Sequence, residues 1–219
     1  MIIKRAGKAG AWAEKIVLSD YNLSKAEEVA TKCDDSRFIA EFIDAGNVEV
    51  IKKTIKKHNI TQVMNAVKPI FNEIIFDTCL ECGVGYLDCA MTLSKRHSEK
   101  PFELTHIKLG DYQFAQAKTW EKAVNMALVG SGVEPGMADV FVRYAAKYYF
   151  ITIDDINVRD GDNYIIPGYE GVAFGFSVWT NIEEYLNPPV IWEKGQGWFC
   201  TEVFSEPEIF SFPGGIGDV

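Results

Sequence analysis

The feature that most constrains this chain is an alternation of short apolar runs with amphipathic helical stretches, repeated from Ile16 to Asp88. A helix after each strand carries the chain back before the next strand begins, so consecutive strands run the same way and the pattern dictates a parallel sheet covered by helices. Ile16-Val17-Leu18 is the first run. Ser24-Lys25-Ala26-Glu27 reads as a capping box, with Ser24 accepting from the Glu27 amide and Glu27 reaching back, which predicts a helix to about Lys32. Phe38 to Asp44 is the second strand. Val48 to His58 has apolar residues at Val48, Ile51 and Ile55 with lysines between, giving one stripe for the sheet. Val63 to Val67 is the third strand, Ile70 to Cys82 is helical until Gly83 and Gly85 stop it, and Tyr86-Leu87-Asp88 is extended again.

Beyond Asp88 the pattern weakens until Ala123 to Val129, an apolar strand that enters a glycine-rich turn and then the helix Met137 to Lys147. Tyr149 to Arg159 is β-rich, and the tail from Gly161 carries many Gly, Pro and aromatic residues with little helical periodicity. Residues 1–129 are therefore expected to form one α/β domain and residues 130–219 part of a second, α+β domain.

Composition narrows the function. With 31 acidic residues against 22 basic, the formal charge is −9, which disfavours nucleic acid and anionic lipid as partners. Lys52, Lys53, Lys56 and Lys57 cluster at helical spacing and read as a solvated helix face. No apolar run approaches the ~20 residues that span a bilayer, and Met1 to Gly10 lacks the order of a signal peptide, so a cytoplasmic location is expected. The five cysteines suit reduced thiols, and Cys79 and Cys82 read as packing groups because no second pair completes a zinc site. His58, His97 and His106 are scattered without metal-ligand spacing, so no metal is expected.

In dinucleotide-binding folds the ligand lies outside the carboxyl ends of the strands, and an acid at one strand end bonds the ribose hydroxyls. Asp20 follows Ile16 to Leu18 in that place, and no arginine follows it to meet a 2′-phosphate, so NAD is expected, with NADP as the alternative. Asp44, Ala45 and Gly46 end the next strand, and Asn65, Ala66 and Val67 the third, so successive strand ends carry the small or polar residues a cofactor crevice needs. Gly130-Ser131-Gly132-Val133-Glu134-Pro135-Gly136 invites a fingerprint reading, with Asp154 and Asp155 as its ribose acids. Its third glycine comes one residue late for G-x-G-x-x-G, however, and Pro135 removes an amide donor. It is read instead as a loop lining the site.

Asn65-Ala66-Val67-Lys68-Pro69, Gly85-Tyr86-Leu87-Asp88 and Gly132-Val133-Glu134-Pro135-Gly136, followed by Arg159-Asp160-Gly161 and Phe212-Pro213-Gly214-Gly215, together resemble the saccharopine dehydrogenase family in order and spacing. The resemblance runs from about Lys15 to the end. It implies a Rossmann-like parallel sheet followed by part of an α+β catalytic domain, and an NAD(P)-dependent oxidoreductase passing hydride at a C–N bond of an amino acid or polyamine. It also implies that the chain lacks the family's first strand and glycine-rich loop and stops short of the end of the catalytic domain. Weak or absent NAD binding by this chain, and a homodimer for the full-length form, are the matching expectations.

The acid or base of such chemistry should be a crevice group with a shifted pKa. Asp88, at a strand end, and Glu134, in the G-V-E-P-G loop, are the candidates, with Lys68 to hold a substrate carboxylate and Gly132 beside Glu134 at the substrate. Two other classes compete. One is a non-catalytic remnant or subunit of a split protein, acting through its exposed sheet edges. The other is a short-chain epimerase or reductase, against which Tyr144 and Lys147 stand three apart rather than the four of Y-x-x-x-K.

Overall fold

The computed structural model describes residues 13–161, 165–171, 173, 175 and 177–218. They fall into two compact units, the first made of the described residues up to Met91 with Gln113–Ser131, the second of Thr92–Tyr112 with the described residues from Gly132 onward.

In the first unit, β1 (Ile16–Asp20) leads through α1 (Leu23–Cys33) to β2 (Phe38–Phe42), and α2 (Val48–His58) leads to β3 (Gln62–Asn65). A single 3-10 turn, Pro69–Phe71, opens α3 (Asn72–Cys82), which precedes β4 (Gly85–Asp88). The short helix α4 (Asp111–Ala115) enters this unit from Gln113 onward, and after α5 (Ala117–Lys122) β5 (Ala127–Leu128) closes it. β1 pairs with β2 in parallel, Ile16 opposite Phe38 and Asp20 opposite Phe42. β3, β4 and β5 form a second parallel sheet, with Asn65 opposite Asp88 and Tyr86 opposite Ala127. Among the described residues no ladder joins the two sheets. The parallel α/β architecture read from the alternation is the one observed.

Side-chain period explains the core. Ile51 and Ile55, four apart on α2, are both buried, as are Ile75, Phe76 and Cys79 on α3. Phe76 meets Tyr86 edge-on at 5.2 Å and Trp120 at 4.9 Å, so α3, β4 and α5 share one aromatic cluster. Burying each such ring stabilises the unit by roughly 1.5–3 kcal/mol. The Cys79 thiol is fully buried, which pushes its pKa up to about 12 and makes it a packing group. Along α2, Lys52 pairs with Glu81 at 2.7 Å and Lys57 with Glu41 at 2.5 Å, so half of the lysine cluster is tied to carboxylates.

Several boundaries differ from the sequence reading. Asn22, not Ser24, caps α1, because its side chain accepts from the Ser24 amide at 3.1 Å two residues before the expected box. The strand expected over Ala123 to Val129 shrinks to Ala127–Leu128: the preceding residues close α5, and Val124 takes a left-handed φ of 51°.

The second unit contains α6 (Met137–Tyr148), α7 (Val178–Leu186), the antiparallel hairpin β6 (Val190–Glu193) and β7 (Gly197–Cys200), and the short pair β8 (Ser211–Phe212) and β9 (Gly217–Asp218). Tyr149 to Arg159, expected to be β-rich, forms no strand. Its Ile151, Ile153, Ile156 and Val158 are exposed, and β-propensity alone orders nothing without a partner strand. The tail, read as having little helical periodicity, contains α7, whose cap Ser177 accepts from the Thr180 amide.

Candidate functional site

Strand direction places the first candidates. Because β1 and β2 run parallel and in register, their carboxyl ends fall on one edge of their sheet, with Asp20 on the last residue of β1 and Asp44 just past β2. One oxygen of the Asp20 carboxylate accepts from the Asn22 amide at 2.7 Å, and its other oxygen has no partner among the described residues. Asp44 is engaged in the same way by the Gly46 amide at 2.9 Å, and Ala45 lies half-buried in the turn between them. A half-exposed carboxylate with one oxygen turned over to a local turn and one to spare is the acceptor that ribose hydroxyls require, so these residues fit the ribose end of a dinucleotide.

Asn65 and Asp88, read separately in the sequence, belong to one buried network. Asn65 Nδ2 donates to Asn72 Oδ1 at 2.8 Å and to the Tyr86 hydroxyl at 3.1 Å, while its Oδ1 accepts from the Val67 amide at 3.2 Å. The Tyr86 hydroxyl in turn donates to Asp88 Oδ2 at 2.8 Å. Gln113 Nε2 donates to the same oxygen at 2.6 Å, and the Gly130 amide donates to Asp88 Oδ1 at 2.7 Å. Asp88 is 1% exposed, so these donors replace water around its carboxylate. Burial drives the Tyr86 hydroxyl well above its ordinary pKa, and the neighbouring Asp88 charge acts in the same direction, so Tyr86 stays a donor. The Asp88 carbonyl also accepts from the Ser131 amide at 2.8 Å, and both ends of this residue thereby hold the turn at Gly130, whose φ is 64°. Ala66 and Lys68 follow Asn65 and are exposed.

Three members of this network escaped the sequence reading. Tyr86 carried a usable signal, since it lies two residues before Asp88 and period two puts both on one face of β4. Asn72 and Gln113 carried none, because only the fold brings them near.

In the second unit, Gly132 and Glu134 form a tight loop, the Gly132 amide donating to the Pro135 carbonyl at 2.9 Å and the Met137 amide to the Gly132 carbonyl at 3.0 Å. Glu134 is exposed. Its charge, with that of Asp160, adds to partial desolvation in raising the pKa of Glu184 on α7, a residue the sequence did not single out. Asp154 and Asp155, the acids of the rival fingerprint reading, are exposed. Among the described residues no helix is long and apolar enough to cross a membrane.

Comparison with known proteins follows this geometry. Residues 2–128 match the family described as the saccharopine dehydrogenase NADP binding domain. The chain is 28% identical over 212 residues to a carboxynorspermidine synthase of Vibrio cholerae, covering 95% of this chain and 47% of that protein. It is 27% identical over 181 residues to a carboxyaminopropylagmatine dehydrogenase of Synechocystis, covering 83% of this chain and 42% of the relative. The chain thus spans less than half the length of these relatives. An apo saccharopine dehydrogenase (L-Glu forming) from Saccharomyces cerevisiae overlaps 66% of this chain and 27% of its own with a TM-score of 0.49 at 11% identity. With more than half of its length, strand ends included, inside the matched domain, the chain belongs to the saccharopine dehydrogenase family and carries that family's nicotinamide-dinucleotide-binding domain.

Proposed function

We propose that this chain serves a nicotinamide-dependent dehydrogenase that makes or breaks a C–N bond in a carboxylated polyamine. The observation that carries this reading is the match to a carboxynorspermidine synthase over 95% of the chain, which continues past the nucleotide-binding domain into the second unit. The family's description names NADP, which puts it ahead of NAD and runs against the preference drawn from Asp20.

Bound nicotinamide would supply or accept the hydride. The chain's own residues divide the remaining work. Asp20 and Asp44 accept from ribose hydroxyls. Asp88 is committed to its three donors and acts as a positioning group that holds the Gly130 turn. The proton at nitrogen is handled by Glu134 together with Glu184, whose raised pKa lets it keep a proton to higher pH than an ordinary glutamate. Lys68, exposed after β3, is free to meet a substrate carboxylate.

The test follows nicotinamide reduction by a protein in which this chain is extended to the length of its relatives, with NAD and with NADP, offering carboxynorspermidine, saccharopine or lysine. Reduction is expected with carboxynorspermidine. No reduction with any of the three, together with no nicotinamide binding by titration, would remove the reading. Asp20→Ser takes a negative charge away from the ribose and is expected to move the ratio of NADP to NAD affinity toward NADP by about tenfold.

A further inference from the structure

Two aromatic rings stand open to solvent at the edge where β1 and β2 end. Tyr21 is 73% exposed and Phe42 42%, whereas Phe38, on the same face of β2 as Phe42 by period two, is 8% exposed. The two rings meet with centroids 5.6 Å apart and planes inclined at 51°, and the pair leaves much of its apolar surface uncovered. Burying that surface is favourable, and the core of the unit does not use it.

Local chemistry holds the pair beside the strand-end acid. The Asp20 carboxylate accepts from the Asn22 amide at 2.7 Å, and Asn22 caps α1 by accepting from the Ser24 amide, so the backbone on both sides of Tyr21 is fixed. Phe42 lies opposite Asp20 in the ladder, and the Ile43 amide donates to the Asp20 carbonyl at 3.1 Å. Paired strands lie about 4.8 Å apart. One ring is therefore next to Asp20 along the chain and the other next to it across the sheet. The turn after β2 also lies against the Phe71 ring, since a β-carbon on Gly46 would come within 3.5 Å of Phe71 Cε1, which brings residues that follow β3 to the same edge.

We propose that Tyr21 and Phe42 form the platform on which the adenine ring of the dinucleotide rests. Adenine is joined directly to its ribose, so a ribose held by Asp20 has its base within reach of both rings. The base is flat and uncharged, and aromatic side chains stack on its faces without reading its hydrogen-bonding edge. The platform meets the base and not the 2′ position. It therefore contributes equally to NAD and NADP, whereas Asp20 acts on the ratio between them. The inference rests on the nucleotide-binding reading of the strand ends and on no substrate: adenine binding without hydride transfer tests it by itself, and its failure would leave the nicotinamide reduction assay untouched.

The experiment is saturation-transfer NMR with a binding titration of the 219-residue chain, using millimolar adenosine 5′-monophosphate and adenosine 2′,5′-bisphosphate, and ribose-5-phosphate as the ligand without a base. The adenine ring protons should receive saturation. Tyr21→Ala should weaken both adenosine ligands by about tenfold without changing the ratio between them, and Tyr21→Phe, which keeps the ring, should retain the wild-type affinity. Ribose-5-phosphate should bind wild type and variants alike. Tyr148→Ala is the control, because Tyr144 and Tyr148 on α6 form another exposed tilted pair, with centroids 4.7 Å apart and planes at 47°, away from any strand end, and it should leave the affinity unchanged. Phe42→Leu keeps apolar volume in β2 while removing the ring, and should weaken both ligands about threefold. No saturation of the adenine protons, unchanged affinity in Tyr21→Ala, an equal loss in Tyr148→Ala, or a loss confined to the bisphosphate would each overturn the proposal.

Discussion

Three donors converge on the carboxylate of Asp88 at the end of β4: the Tyr86 hydroxyl from the same strand, and the Gln113 amide and the Gly130 backbone from distant parts of the chain. A carboxylate can accept from all three, whereas a carboxamide must turn an N–H toward one of them. Asp88→Asn is therefore expected to cost about 2–4 kcal/mol, read as a fall in the urea midpoint with unchanged slope. Tyr86→Phe removes one donor and leaves the other two, so its cost should be nearer 1 kcal/mol. An acid at a strand end was legible in the sequence. Its burial was not, since Asp20 and Asp88 end their strands in the same way while only Asp88 has donors folded over it. Asn65 makes the same point: its residue type suggested a cofactor edge, and its side chain turns inward to Asn72 and Tyr86.

At the scale of elements, α2 was readable end to end because local chemistry marks it. Its stripe is Ile51 and Ile55, its cap is Asn47, accepting from the Glu49 and Val50 amides at 3.1 and 3.2 Å, and Asn59 ends it at a φ of 52°. Asn47→Ala should cost about 1 kcal/mol in thermal or urea unfolding. The turn into β2 carries a pH signature. Arg37 beside Asp35 holds that carboxyl down from 3.8 to about 2. A depressed acid contributes stability above its unfolded value and loses it as pH falls through the folded one, so this contribution is present above pH 3.8 and fades toward about 2. Melting Asp35→Asn across that window should show a shallower pH dependence than the wild type. The short apolar strand around β5 was misjudged because Trp120 draws α5 into the aromatic cluster and leaves only Ala127 and Leu128 to pair.

Over the whole molecule, order follows burial. The first unit packs Phe76, Cys79, Tyr86 and Trp120 beneath its strands, whereas Tyr149, Phe150, Ile151 and Ile156 in the second are exposed and outside any strand. Amides of α3 and β4 should accordingly exchange with deuterium far more slowly than those of Tyr149 to Arg159, by several orders of magnitude if α3 and β4 open only with the whole unit. Equal protection of the two segments would contradict that ranking.

The sequence by itself determined the parallel α/β class, the order of the first strands and helices, and the family, because period, caps and short motifs are local and are written in consecutive residues. Only the tertiary structure decided which polar strand ends face inward, that Gln113 and Gly130 meet at Asp88, and that Arg96 meets Leu186 and Asn187 at the end of α7. Those are contacts between residues far apart in the chain, and no local pattern specifies them.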